Sequence, residues 1–201
     1  TITNGTLRQR APMPPGQPGW VSTFDYRDDP ITMIGDLSWT NVSLGVRSKF
    51  DVAEPEHSTN PASSKVNGNP YVQICGRVSV YQSYAKGNYP NSGVCLRLNS
   101  SSLSWELLER AQINSQEGYH VLRTGNISGK QLSWHYLGLE LLGSQAAVAI
   151  DGDWLATGVA VQATHGLAML GSSYHQVKFD NFIVHEARTE PRNPKMVLEN
   201  V

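Results

Sequence analysis

The sequence predicts an all-β protein, a two-sheet antiparallel sandwich. Short segments rich in Val, Ile, Leu and aromatic residues follow one another at close spacing from Asp36 to His185, which is the pattern of a sandwich. Several of them alternate apolar with polar or small residues, the period of a strand with one buried face. An Asp151-Gly152 pair separates two such segments, and this dipeptide accepts the positive φ of a tight hairpin.

Taken in order, residues 11–19 (Ala-Pro-Met-Pro-Pro-Gly-Gln-Pro-Gly) cannot be helix or central strand, because proline fixes φ and has no amide donor. They read as a surface loop. Asp36 to Phe50, with Leu37, Trp39, Val42, Leu44, Val46 and Phe50, has strand composition. Residues 53–70 carry Pro55, Pro61, Gly68 and Pro70 among polar residues and read as a long loop. Tyr71 to Val80 places Val72, Ile74, Gly76, Val78 and Val80 on one face and Gln73, Cys75, Arg77 and Ser79 on the other. A tyrosine-rich loop, 81–90, leads to Val94–Leu98. Leu103 to Gln112 is composed largely of good helix formers. Leu103, Trp105 and Leu107 nevertheless alternate, and the surrounding pattern makes this segment a strand. Leu137–Leu141, Ala146–Ile150, Leu155–Val161, Leu167–Leu170 and Val177–His185 complete the set. The fold is expected over residues 1–188. A polar tail with Pro191 and Pro194 follows over 189–201.

The net charge of −1, with charged residues at 16% and no basic run, argues against nucleic-acid binding. No apolar run approaches the roughly 20 residues that span a bilayer, so no transmembrane segment is expected. Thr1-Ile2-Thr3-Asn4 is not a signal peptide, so any such segment was removed or lies upstream. Sequons for N-glycosylation begin at Asn4, Asn41, Asn99 and Asn126. With an even cysteine count they point to a secreted or lumenal compartment. Cys75 and Cys95 lie equally far either side of Ala85. An antiparallel hairpin centred there sets them opposite each other, within reach of a disulfide. Two buried free thiols are the alternative.

Glycoside hydrolysis needs two carboxylates about 5–10 Å apart across a sugar. Glu54 and Glu56 sit among prolines, Glu106 and Glu109 do not share a strand face, and Asp151 and Asp153 flank a turn glycine. No catalytic residues are therefore expected. His57, His120, His135, His165, His175 and His185 show no metal-ligand spacing and read as ordinary surface or loop residues. Trp39, Trp105 and Trp134 are expected in the core. Trp20, Tyr84, Tyr89 and Trp154 are loop aromatics of the kind that could stack on a sugar, but nothing in the sequence assigns a carbohydrate site.

Six pieces, in order, resemble the C-terminal lectin domain of galactocerebrosidase, a galactosylceramidase. They are Thr6-Leu-Arg-Gln9, Ile34-Gly-Asp-Leu-Ser-Trp-Thr-Asn41, Ile74-Cys-Gly-Arg-Val78, Val148-Ala-Ile-Asp-Gly-Asp-Trp154, Gly166-Leu-Ala-Met-Leu-Gly-Ser172 and Val177-Lys-Phe-Asp-Asn-Phe-Ile-Val-His-Glu-Ala-Arg188. The resemblance implies a concanavalin A-like or laminin G-like jelly roll. It implies a lysosomal or secreted glycoside hydrolase whose catalytic carboxylates sit on a separate barrel. This domain would complete the substrate cleft and stabilise that barrel. The partners implied are a catalytic barrel chain or domain and a glycan or glycolipid. The resemblance also implies a calcium ion, with Asp180 as a side-chain ligand and Gly5 as a carbonyl ligand. An independent carbohydrate-binding or adhesion module and a structural glycoprotein subunit are the competing functions.

Overall fold

A computed structural model describes residues 2–3, 6–9, 31–50, 71–83, 87–113, 116–173 and 177–187. These form strands and turns with no helix. The strands are Ile2–Thr3 (β1), Thr6–Gln9 (β2), Ile31–Ile34 (β3), Val42–Phe50 (β4), Tyr71–Ser83 (β5), Gly87–Asn99 (β6) and Ser104–Ile113 (β7), followed by Gln116–Asn126 (β8), His135–Leu142 (β9), Gln145–Ile150 (β10), Asp153–Ala160 (β11), Leu167–Ser172 (β12) and Val177–Glu186 (β13). A seven-stranded sheet runs β1-β2-β13-β4-β9-β10-β11, and a six-stranded sheet runs β3-β12-β5-β6-β7-β8. Every described pairing is antiparallel. The expected all-β sandwich is therefore what forms. The proline-rich stretches 11–19 and 53–70 and the tail 189–201 lie outside the described residues.

The core lies between the sheets. Val42, Leu44, Val46, Leu137, Leu139, Leu141 and Val148 from the seven-stranded sheet meet Val72, Ile74, Val94, Leu96, Leu98, Trp105 and Leu107 from the other. Alternation sends every second side chain of each strand inward. The predicted strand forms as Ser104–Ile113, and Leu103 precedes it with φ 48°.

A bulge in β5 breaks that alternation. In β5 the pairing with β6 shifts between Gly76 and Ser79, where Arg77 adopts φ 55°. The bulge reverses the phase. Val78, expected beside Val72 and Ile74, instead joins Cys75, Cys95, Leu108 and Met169 in a separate cluster on the other face of the sheet. Arg77 is only 1% exposed. Its Nε donates to the Thr40 carbonyl and its Nη1 to the Ala163 carbonyl. On the other side of β7 the register with β8 shifts because β8 carries one extra residue, Leu122, while Leu107 and Leu108 keep ordinary alternation and fall in the two clusters.

Other boundaries differ from expectation. Asp36–Asn41 is a turn rather than strand: Asp36 accepts the Ser38 amide on its carboxylate and the Trp39 amide on its carbonyl. Much of 81–90 is paired strand rather than loop, since Tyr81↔Tyr89 and Ser83↔Gly87 continue the β5–β6 hairpin. The strands β1, β2, β3 and β8 depart from expectation: the first three are short, with β3 alternating half-buried and exposed residues over only four positions, and β8 lies at a sheet edge.

Candidate functional site

Cys75 and Cys95 face each other in register, with Cα atoms 4.1 Å apart, and form a disulfide. The hairpin symmetry about Ala85 is real, and the free-thiol alternative is excluded.

The Phe179-Asp180-Asn181-Phe182 motif is itself a bulge. The register of β13 on β4 shifts between Asp180 and Ile183, and Asn181 takes φ 51°, a left-handed conformation that Asn tolerates better than most residues. The extra residue lets both Phe179 and Phe182 pack against the core. Asp180 is turned to the opposite face, opposite Arg47 of β4. The Arg47 Nη1 lies 3.9 Å from its carboxylate. Arg47 also lies over the Trp134 ring, 5.2 Å from its centre. Trp134, expected in the core, is only half-buried there. Trp105 is buried in the core, and Trp39 is half-buried and packs against it.

For calcium, Asp180 is the one expected ligand whose surroundings are described; Gly5 lies outside the described residues. The nearest charge given for Asp180 is cationic. No group of three His, Cys, Asp or Glu side chains gathers among the described residues.

Within the carboxylate pairs, Glu109 and Asp151 hold backbone. Glu109 is 6% exposed, and its Oε1 accepts the amides of Gln162 and Ala163, each at 2.7 Å. Glu106 pairs with Arg97 in register and Glu109 with Val94, so the two occupy opposite faces. Asp151 and Gly152 take φ 54° and 89° in the β10–β11 turn, as the dipeptide predicts. Glu54 and Glu56 lie outside the described residues.

Asp151 also completes a constellation that the sequence did not reveal. Its Oδ1 accepts the Tyr136 amide, and its Oδ2 lies 2.7 Å from His135 Nδ1. His135 Nε2 lies 3.1 Å from the Lys130 carbonyl and 3.2 Å from Ser133 Oγ. His135 is 3% exposed, which corrects its assignment as a surface residue. His120, His165 and His185 are exposed, while His57 and His175 lie outside the described residues. The connectivity Ser133–His135–Asp151 is that of a nucleophilic triad, but the proton inventory is wrong for one. A triad histidine must take the serine proton on an unprotonated Nε2. Here Ser133 Oγ donates to the Lys130 carbonyl at 2.6 Å, and that same acceptor faces Nε2. Both ring nitrogens thus point at acceptors, which suits the imidazolium. The hydrogen bond to Asp151 accordingly raises the His135 pKa above its usual value, against the opposing effect of burial. The cluster is a brace on residues 130–133.

That brace backs a cleft of about 680 Å³ between residues 101–103 and 127–132. The lining contains Ser101, Ser102, Ser128, Leu103, Ile127 and Leu132, and no carboxylate. The Ile127 amide donates to the Leu103 carbonyl, and Gln131 Nε2 to the Ser101 carbonyl, stitching the two walls together.

The sequons differ in environment. Asn126 is exposed at the end of β8. Asn41 is half-buried, and its Oδ1 accepts the Gly143 amide. Asn99 is buried, and its Nδ2 donates to Ser104 Oγ. Asn4 lies outside the described residues, as do Trp20 and Tyr84. Tyr89 falls within β6, and Trp154 is half-buried on β11.

The two-sheet antiparallel sandwich is a lectin-like fold. The chain belongs to the family described as "Galactocerebrosidase, C-terminal lectin domain", whose model matches residues 3–187. Among solved structures it is similar to the carbohydrate binding module CBM66 from Bacillus subtilis, with 12% identity and a TM-score of 0.57 over 80% of this chain and 84% of that one. It is also similar to a protein of unknown function with a galectin-like fold from Bacillus subtilis, with 10% identity and a TM-score of 0.51 over 79% of this chain and 78% of that one. These likenesses concern the fold. Comparison with curated proteins gives no match.

Proposed function

We propose that the chain is the non-catalytic lectin-like part of a galactocerebrosidase-like glycoside hydrolase, as a domain or a processed chain. It completes the substrate cleft and stabilises the catalytic barrel. The family match over residues 3–187 carries this reading. The engagement of Glu109 and Asp151 in backbone hydrogen bonds supports the absence of catalysis within the chain. A secreted or lysosomal location accords with the Cys75–Cys95 disulfide. Native purification from the source, followed by mass spectrometry of the intact assembly, tests the proposal. The expected result is a barrel with paired glutamates, joined to this sequence or bound to it. A chain that runs alone and contains no barrel would overturn it.

An independent carbohydrate-binding or adhesion module is the second reading, and the hydroxyl-lined cleft favours it. Glycan binding by the isolated chain, without a companion, separates it from the first.

Calcium is proposed on the resemblance alone. Asp180 would supply a carboxylate and Gly5 a carbonyl, and Arg47 would have to release Asp180. Melting of chelator-treated protein with and without added calcium decides, because a ligand that binds only the folded state raises the melting temperature. No calcium-dependent shift would end this proposal.

A further inference from the structure

We infer that the cleft between residues 101–103 and 127–132 is a binding site for a neutral saccharide. This inference rests on the lectin reading and assigns it a place.

The chemistry of the walls selects the ligand class. Ser101 and Ser128 line the cleft beside Leu103, Ile127 and Leu132, and Ser102 lines it too with its Oγ engaged by Ser104. Leu132, at 40% exposure, offers a solvent-facing aliphatic surface. A pyranose has one apolar face and a rim of hydroxyls, and it matches both halves of this lining. The only charged residue of the lining is Lys130. That does not suit a cation, and it falls short of the clustered positive charge and stacking aromatics that nucleotides require. A peptide would seek an open strand edge, whereas these walls are connecting segments.

The walls are also pre-ordered. The Ile127–Leu103 backbone bond closes the floor, and the Gln131–Ser101 bond crosses between the walls. The His135 brace holds the Lys130 carbonyl from behind. A ligand entering such a cleft has little loop ordering to induce, which favours affinity. Asn126 begins the sequon whose Ile127 and Ser128 line the cleft, so a glycan on Asn126 would stand at its mouth.

The test is an amide NMR titration of the labelled chain, treated with endoglycosidase to remove any N-glycan, using methyl β-galactoside, lactose and N-acetylglucosamine in turn. Saturable shifts at Ser102, Ser128 and Leu132 are expected. Leu132→Asp, at an exposed position that should not disturb folding, is expected to weaken binding by about tenfold, the effect of replacing one aliphatic contact with a charge. Ser128→Ala is a second probe should Leu132→Asp fail to fold. Saturable shifts confined to another surface, such as Arg47 and Trp134, would overturn this assignment and leave the lectin reading standing. No shifts with any of the three sugars would count against both.

Discussion

Arg77 and Glu109 hold one residue, Ala163, by its two backbone groups: Arg77 Nη1 donates to the Ala163 carbonyl at 2.8 Å, and Glu109 Oε1 accepts its amide at 2.7 Å. Ala163 lies in the connection from β11 in one sheet to β12 in the other. The pair therefore straps a crossover between the sheets. Both side chains are buried, at 1% and 6% exposure. Burial lowers the Arg77 pKa, and the charge of Glu109 opposes that effect.

Removing either side chain leaves buried backbone groups of the crossover without a partner. Arg77→Ala or Glu109→Ala is therefore expected to cost about 1–3 kcal/mol. The double variant Arg77→Ala/Glu109→Ala should cost clearly less than the sum of the single changes, since no lone charge remains. Denaturant unfolding of the four proteins measures this. Additive losses would show that the two side chains act independently.

The His135 brace makes stability depend on pH in a definite direction. Its folded pKa is raised above 6.5, chiefly by the hydrogen bond to Asp151. A raised pKa adds stability that is fully present below the unfolded value and is lost as pH rises through the folded value. The acceptors facing the ring are the Asp151 carboxylate on the β10–β11 turn and the Lys130 carbonyl and Ser133 hydroxyl before β9. Ser48 of β4 lies opposite in register and carries no charge. The melting temperature should thus fall on moving from acid to mildly alkaline buffer. Asp151→Asn keeps a residue that accepts positive φ and an oxygen for the Tyr136 amide, but removes the charge. It should lower the His135 titration midpoint, read from its ring carbon resonance, and flatten the pH dependence of melting. An unchanged midpoint would refute the role given to Asp151.

Glycan occupancy should follow amide accessibility. Asn126 is exposed, whereas Asn99 is buried and uses its Nδ2 on Ser104. Among the three described sequons, Asn126 is expected to be modified and Asn99 unmodified when the chain passes through a glycosylating secretory pathway. Peptide mapping after deglycosylation in heavy-oxygen water reads each site. A glycan on Asn99 would mean that the β6–β7 end is open when the chain is modified.

How much of this was legible depends on the range of each signal. The Cys75–Cys95 pairing could be read because a hairpin register is symmetric about its turn, and the Asp151-Gly152 turn because it is local. The strand nature of Leu103–Gln112 survived its helix-forming composition because Leu103, Trp105 and Leu107 keep a period of two. The same alternation placed Val78 on the wrong face, because it cannot show the bulge at Arg77 that reverses the phase. The edge strand β8 was missed because Tyr119, His120, Val121 and Arg123 are all exposed and leave no alternating burial. The strap and the brace were invisible for another reason. Glu109 and Arg77 reach Ala163 across separations of 54 and 86 residues, and His135 reaches Asp151 across 16. No local pattern encodes such encounters.

The disulfide offers the most direct test of how far the second apolar cluster depends on its crosslink. Cys75 and Cys95 are 0% and 3% exposed, packed with Val78, Leu108 and Met169. Their bond closes a loop with a sequence separation of 20. Constraining the unfolded chain over such a loop contributes about 3 kcal/mol in the chain-entropy account. Replacing both by alanine also removes two buried sulfurs, so Cys75→Ala/Cys95→Ala should cost at least that much in denaturant unfolding. The native protein should resist alkylation unless reduced and unfolded, with intact mass as the readout. Because the β5–β6 ladder pairs on both sides of the bond, the reduced protein should keep its strand content and unfold at lower denaturant. Loss of strand signal on reduction alone would show instead that the crosslink is needed to form the hairpin, not merely to stabilise it.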